Sequence, residues 1–208
     1  MARVLGAKCR ICRRMGMKLF LKGTRCETAK CPIEKEARPP GQHGEKRMRL
    51  TDYGIHMREV QRAKKMYGLL ARQFRRYYGE AERQPGNTGD VLMQMLERRL
   101  DSVIYRLRFA HSRDHARQMI LHGHFRVNGR KVSIPSQFIA AGDLIEPAKK
   151  EKSQKIVKEA YAVRKSLDLP SWLKVEEEPL RGTVVQLPSA VELAVPLESQ
   201  LIVEFMSR

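Results

Sequence analysis

Aromatic side chains are scarce in this 208-residue chain, 6% in all with a single Trp, so its core must be aliphatic and divided rather than gathered around one ring cluster. No apolar run exceeds about five residues, against the ~18–20 that cross a bilayer. No basic amphipathic stretch carries Trp or Phe on its apolar side, which removes the membrane as a partner. Met1 to Lys8 hold neither an apolar core nor a small-residue cleavage site, so no secretory leader is expected and the expected compartment is the cytoplasm. A Gly-rich phosphate loop is missing, as are internal repeats and low-complexity tracts. No acid, base and nucleophile are grouped, so neither catalysis nor a small-molecule substrate is expected. Cysteine is absent from the last 177 residues.

What the chain has is positive charge. Lys and Arg number 41 against 23 Asp and Glu, a net of +18, with a pI near 10.2. Apolar residues make up 42%, enough for a folded core. A folded surface of that charge attracts polyanions, and nucleic acid is the first candidate. The charge is uneven. Residues 1–104 hold 24 basic and 11 acidic residues, a net of +13, whereas the tail from Pro170 holds 3 and 6, a net of −3. The polyanion is expected at the front and middle, and the tail is expected to pack or to face a protein.

All four cysteines, Cys9, Cys12, Cys26 and Cys31, lie in the first segment, spaced C-x2-C and C-x4-C. Paired thiolates at tight turns can close a tetrahedron around one Zn2+. An iron–sulfur cluster uses the same four thiolates, disulfides are the blander alternative, and four thiolates leave no open position for catalysis. Lys8, Arg10, Arg13 and Arg14 flank the first pair and would be held as a fixed cationic array.

Pro39-Pro40-Gly41 reads as a loop closing this segment at about Gly44. Thr51 is an N-cap for a helix to Gly68, a second helix spans Leu70 to Glu82, and a third opens near Asp90, with Leu92, Leu96, Leu100, Val103 and Leu107 at helical period. Ser112 caps a helix from Arg113 to His122. Phe125 to Val132 is a hairpin turning at Asn128-Gly129. Short strands are expected at Ile134–Phe138, Asp143–Ile145, Trp172–Val175, Gly182–Leu187 and Gln200–Met206, with a charged helix over Lys149–Leu167. Arg113 and Arg117, one turn apart, are expected to face outward together. With Arg106, Arg126, Arg130 and Lys131 they would cradle a phosphate backbone, and His122 and His124 flank that cradle. Ser112 separates His111 from His115, so that pair is not expected to bind metal, and Asp101 is expected to pair with neighbouring arginines.

Ser112-Arg113-Asp114-His115-Ala116-Arg117-Gln118, His122-Gly123-His124, Val127-Asn128-Gly129, Pro135-Ser136 and Gly142-Asp143 together resemble the S-four RNA-binding module, which also occurs in tyrosyl-tRNA synthetases and pseudouridine synthases. Outer stretches narrow the likeness to the S-four family of bacterial small-subunit ribosomal proteins. They are Pro39 to Gly44 with Leu50-Thr51-Asp52-Tyr53-Gly54, Arg72-Gln73-Phe74-Arg75, Leu96 to Leu107, and the ending Leu201 to Arg208. The four cysteines match the metal-binding variant of that family.

The resemblance implies an α+β protein: a metal-stabilised segment over 1–44, a helical domain over 45–97 to which 193–208 return, and an inserted S-four module with short antiparallel strands over 98–192. It implies binding to the 5′ domain of small-subunit ribosomal RNA early in assembly. It places Lys46, Arg47 and Arg49 near the pore through which mRNA enters, and small-subunit proteins three and five as neighbours, the latter contact affecting decoding accuracy. Arg72, Arg75 and Arg76 join the expected RNA contacts. Asp52, Tyr53, Gln200, Ile202 and Glu204 form the expected protein interface. An RNA-modifying enzyme built on the same module is the competing reading.

Overall fold

The computed structural model describes residues 6–35, 38–44, 49–189, 192 and 195–207. The fold is α+β and divides into two compact units, Met1–Leu92 with Val195–Arg208, and Met93–Ala194.

The first unit is helical. Helix α1 (Lys8–Met15) ends at Gly16, whose φ of 72° supplies the left-handed residue a C-terminus needs. A 3-10 turn (Gly23–Glu27) and a single turn, α2 (Pro32–Lys35), complete the cysteine segment. Helix α3 (Asp52–Met66) starts where Thr51 Oγ1 accepts the Gly54 N–H at 3.3 Å. It stops where Gly68 and Leu69 donate back to Lys65 and Lys64. Helix α4 is Ala71–Glu82. Val60, Ala63, Met66, Phe74 and Tyr77 are buried. Arg62 of α3 donates twice to the Met15 carbonyl, at 3.0 and 3.3 Å, and so ties the end of α1 to α3.

The last element differs from expectation. Ser199–Met206 is a helix, α9, where the apolar, β-branched run Leu-Ile-Val-Glu-Phe suggests a strand. It packs along α3. Glu59, only 2% exposed, accepts the Glu198 N–H at 3.1 Å at the head of α9. A carboxylate at that end complements the helix dipole.

The division between the units falls within α5 (Thr88–Glu97). In the second unit, α6 (Leu100–Arg106) and α7 (Arg113–Leu121) pack beneath a five-stranded antiparallel sheet. Its strands are β1 (Phe125–Val127), β2 (Arg130–Lys131), β3 (Leu144–Pro147), β4 (Leu173–Glu177) and β5 (Leu180–Val184), in the order β2-β1-β3-β5-β4. The β1–β2 turn has φ of 49° at Asn128 and 75° at Gly129, the positive pair of a type I′ hairpin. Helix α8 (Glu151–Arg164) follows β3. Trp172, Phe109, Phe125, Ile120, Ile145 and Val157 fill the core.

Two further expectations are corrected here. The continuous helix read through Leu107 breaks between α5 and α6, because Leu100 and Asp101 donate to the carbonyls of Gln137 and Pro135 instead of continuing the helical ladder. Residues 134–138 form no strand, only an isolated bridge between Phe138 and Arg99.

Candidate nucleic-acid interface

Arg106, Arg113 and Arg117 do not form their share of the outward cradle the spacing suggests. Glu97, at the end of α5, is fully buried. It accepts Arg106 through Nε and Nη2 at 3.0 and 2.8 Å, and Arg113 through Nη2 at 3.0 Å. Arg113 also donates to Ser102 Oγ at 2.9 Å and lies over the Tyr105 ring at 4.7 Å. Asp101 holds Arg99 at 3.0 and 2.6 Å, as expected of it, and has Arg117 at 3.7 Å. The expectation that Arg113 and Arg117 face outward together is therefore wrong: both are drawn inward by carboxylates. Arg106 keeps about a quarter of its side chain in solvent.

Exposed charge is found elsewhere in this unit. Helix α7 ends in a tight reversal, with Gly123 N–H on the Ile120 carbonyl and His124 N–H on that of Met119. Gly123 has φ of 71°, and a Cβ there would stand 2.3 Å from Lys131 Cε, so only glycine lets the Lys131 stem lie across the turn. Ala148 N–H then donates to the His124 carbonyl at 2.8 Å, which carries Lys149 and Lys150 and the start of α8 to the same place. The result is a basin of about 660 Å³ lined by His115, Gln118, His122, His124, Arg126, Lys131, Lys149, Lys150 and Lys152, over a floor of Met119, Ala148, Ser153 and Ile156. No carboxylate is among its described lining residues. Of the residues expected to touch RNA, the basin gathers His122, His124, Arg126 and Lys131. Arg130 is exposed on β2. Lys149, Lys150 and Lys152 were missed because they sit eighteen or more residues beyond Lys131, and their only signal was a charged helix.

Burial, followed by the like charges of His111 and His124, lowers His115. Burial, followed by His122, Lys152 and Lys150, lowers His124. The basin is thus a concentration of positive charge in which His115 and His124 are both pushed towards the neutral form.

The first unit carries further arrays. Arg10 and Arg14 are exposed on α1, with Arg13 half-buried. Arg58 of α3 is pushed down by burial and then by Arg62 and Arg14. Lys64 is pushed down by burial and then by Lys65 and Arg75. Like charges held this close mark surfaces that favour an anion, and Arg58 and Lys64 were not singled out from sequence. Arg72, Arg75 and Arg76 are exposed on α4, Arg76 pairing with Glu80 at 3.0 Å. Arg49 is exposed, whereas Lys46 and Arg47 lie outside the described residues.

Cys9, Cys12, Cys26 and Cys31 all line one small pocket and all are free thiols. Lys22 N–H donates to Cys26 Sγ at 3.4 Å, and a Leu19 backbone hydrogen bond lowers Cys12; such bonds favour a thiolate. Burial outweighs them and raises both Cys12 and Cys26. The donor set fits one soft or borderline ion, although among the described residues no group of three or more His, Cys, Asp or Glu is arranged to hold one.

On the expected protein interface, Asp52 and Gln200 are exposed, and Gln200 donates to Glu204 at 3.3 Å. Tyr53 is 56% exposed, with its ring 5.4 Å from that of Phe205. Glu204 is 2.8 Å from His56 Nε2. Ile202 is a correction: it is fully buried within its own unit and offers nothing to a neighbour.

Fold and charge together define an α+β protein built to meet a polyanion, with a sheet-backed module carrying a cationic basin. Residues 3–97 match the family model "Ribosomal protein S4/S9 N-terminal domain", and residues 98–145 match "S4 domain". The whole chain is 49% identical to the small ribosomal subunit protein uS4 of Thermodesulfovibrio yellowstonii, 51% to uS4A of Symbiobacterium thermophilum and 51% to uS4 of Dictyoglomus turgidum, each alignment covering all of both chains. The chain belongs to the S4 family of ribosomal proteins.

Proposed function

We infer that this chain is a structural constituent of the small ribosomal subunit, working in the cytoplasm, that binds the subunit's RNA. The observation that supports this best is the basin of lysine, arginine and histidine, without a carboxylate among its described lining residues, that the matched S4 domain begins and residues 148–156 complete. Folded RNA presents phosphates in fixed shapes, and rigidly held cations read such shapes. The relatives are named as ribosomal proteins, and a binding role without catalysis accords with that.

The finer reading follows the family resemblance. The RNA is the 5′ domain, bound early in assembly. Arg49, together with the Lys46 and Arg47 of the same family segment, contacts entering mRNA, and the exposed end of α3 and α9 with Tyr53 and Glu204 meets small-subunit protein five, protein three lying near. Chemical footprinting of small-subunit RNA with the purified chain tests the first part. Protection confined to the 5′ domain is expected, and uniform weak protection of all domains would refute it.

The four thiols are proposed to hold one Zn2+, which would supply a covalent tie between α1, the 3-10 turn and α2. Because burial holds Cys12 and Cys26 above the ordinary thiol range, metal uptake must release protons, and affinity falls as pH falls. Elemental analysis should give one equivalent at pH 7.5, lost on acidification and in Cys26→Ser. Four freely titrating thiols in metal-replete protein at pH 7.5 would count against it.

A further inference from the structure

The histidines of the basin are not equivalent. His115 accepts the His111 backbone N–H at Nδ1, 3.3 Å away, with the two rings stacked at 5.3 Å. A proton on that nitrogen would forfeit the bond, so His115 is held neutral. His124 differs. Its Nδ1 is 2.9 Å from Ser153 Oγ, and a hydroxyl donates to a bare nitrogen or accepts from a protonated one. That contact therefore survives titration. The His124 backbone is fixed at both its N–H and its carbonyl, so the residue stays anchored at the basin whatever its charge.

Every charged group that faces His124 is cationic or can become so. His122 comes from the end of α7, Lys150 and Lys152 from the start of α8, and Arg126 and Lys131 from the hairpin across the basin. In the free chain burial comes first, and these neighbours second, in keeping the ring neutral. An oxyanion seated among them would reverse the second cause and favour the imidazolium.

Resting on the RNA reading above, we propose that the basin seats a phosphodiester of the bound RNA and that His124 takes up one proton from water as it does so. The proton goes to whichever ring nitrogen the neutral tautomer leaves bare, and Ser153 turns its hydroxyl to suit. RNA binding by this chain is thereby linked to pH at His124.

The test uses the full chain and small-subunit RNA at fixed salt between pH 8 and pH 6, with calorimetry in two buffers of different ionisation enthalpy. Affinity should rise several-fold across that range, a single proton being able to give at most about tenfold per pH unit. Net proton uptake on binding should be positive and should not exceed one. His124→Gln should still bind RNA but lose this rise and this uptake. Lys150→Gln with Lys152→Gln, both exposed and away from the core, should weaken binding and reduce the salt slope by about 2, with a smaller proton uptake. An unchanged pH slope in His124→Gln overturns the proposal while leaving the RNA reading intact, and so does an unchanged salt slope in the double lysine variant. No RNA binding by the unaltered chain at any pH overturns both.

Discussion

Glu97 and Asp101 keep the charge of four arginines inside the second unit, and this changes what substitutions there should do. Arg113 and Arg117 belong to a buried ion-pair network as much as to any RNA surface. Removing one partner of a buried pair leaves the other uncompensated, at a cost of about 3–5 kcal/mol. Glu97→Ala should therefore cost roughly 3 kcal/mol, the low end of that range because Arg106 can turn towards solvent. Arg113→Ala should lower the urea midpoint as well as RNA affinity. A variant with an unchanged midpoint would return Arg113 to the surface. The sequence could not show this, because outward-facing spacing on α7 is legible locally whereas the acids that pull the guanidinium groups inward come from other helices.

Helix starts and turns were readable wherever their cause was local. Thr51 and Ser112 cap α3 and α7 through their own hydroxyls, and Asn128-Gly129 sets the hairpin by its positive φ angles. Elements fixed by distant partners were not readable. The α5–α6 break carries no Gly or Pro, and its cause lies at Pro135 and Gln137. Residues 199–206 have strand-like composition, yet they wind into α9 because α3 buries Ile202 and offers Glu59 at the helix head. Glu59 should thus matter to α9 more than to any other element. Glu59→Ala should cost roughly 1–2 kcal/mol through the lost cap alone. Amide exchange in α9 should accelerate ahead of exchange in α4, and equal acceleration in both would argue against the capping role.

At the scale of the whole chain, net charge is the feature most plainly legible in the sequence and the least specific. If six to ten phosphates are neutralised, RNA affinity should fall by roughly 10³–10⁵ between 50 and 200 mM salt, by analogy with duplex DNA. A flat titration would mean that the +18 charge is not what holds the RNA. The basin was harder to foresee, because the Gly123 reversal and the Ala148 hydrogen bond bring together residues from 115 to 153. The discontinuity of the first unit bears on the order in which the chain is made. Helix α9 is synthesised only after all of residues 93–194, the entire second unit. At about 5–20 residues per second, α3 waits roughly 7–28 seconds for the helix that covers it. Through that interval the second unit can close its sheet and core while Glu59 has no helix head to cap. The segment made first is thus among the last to mature.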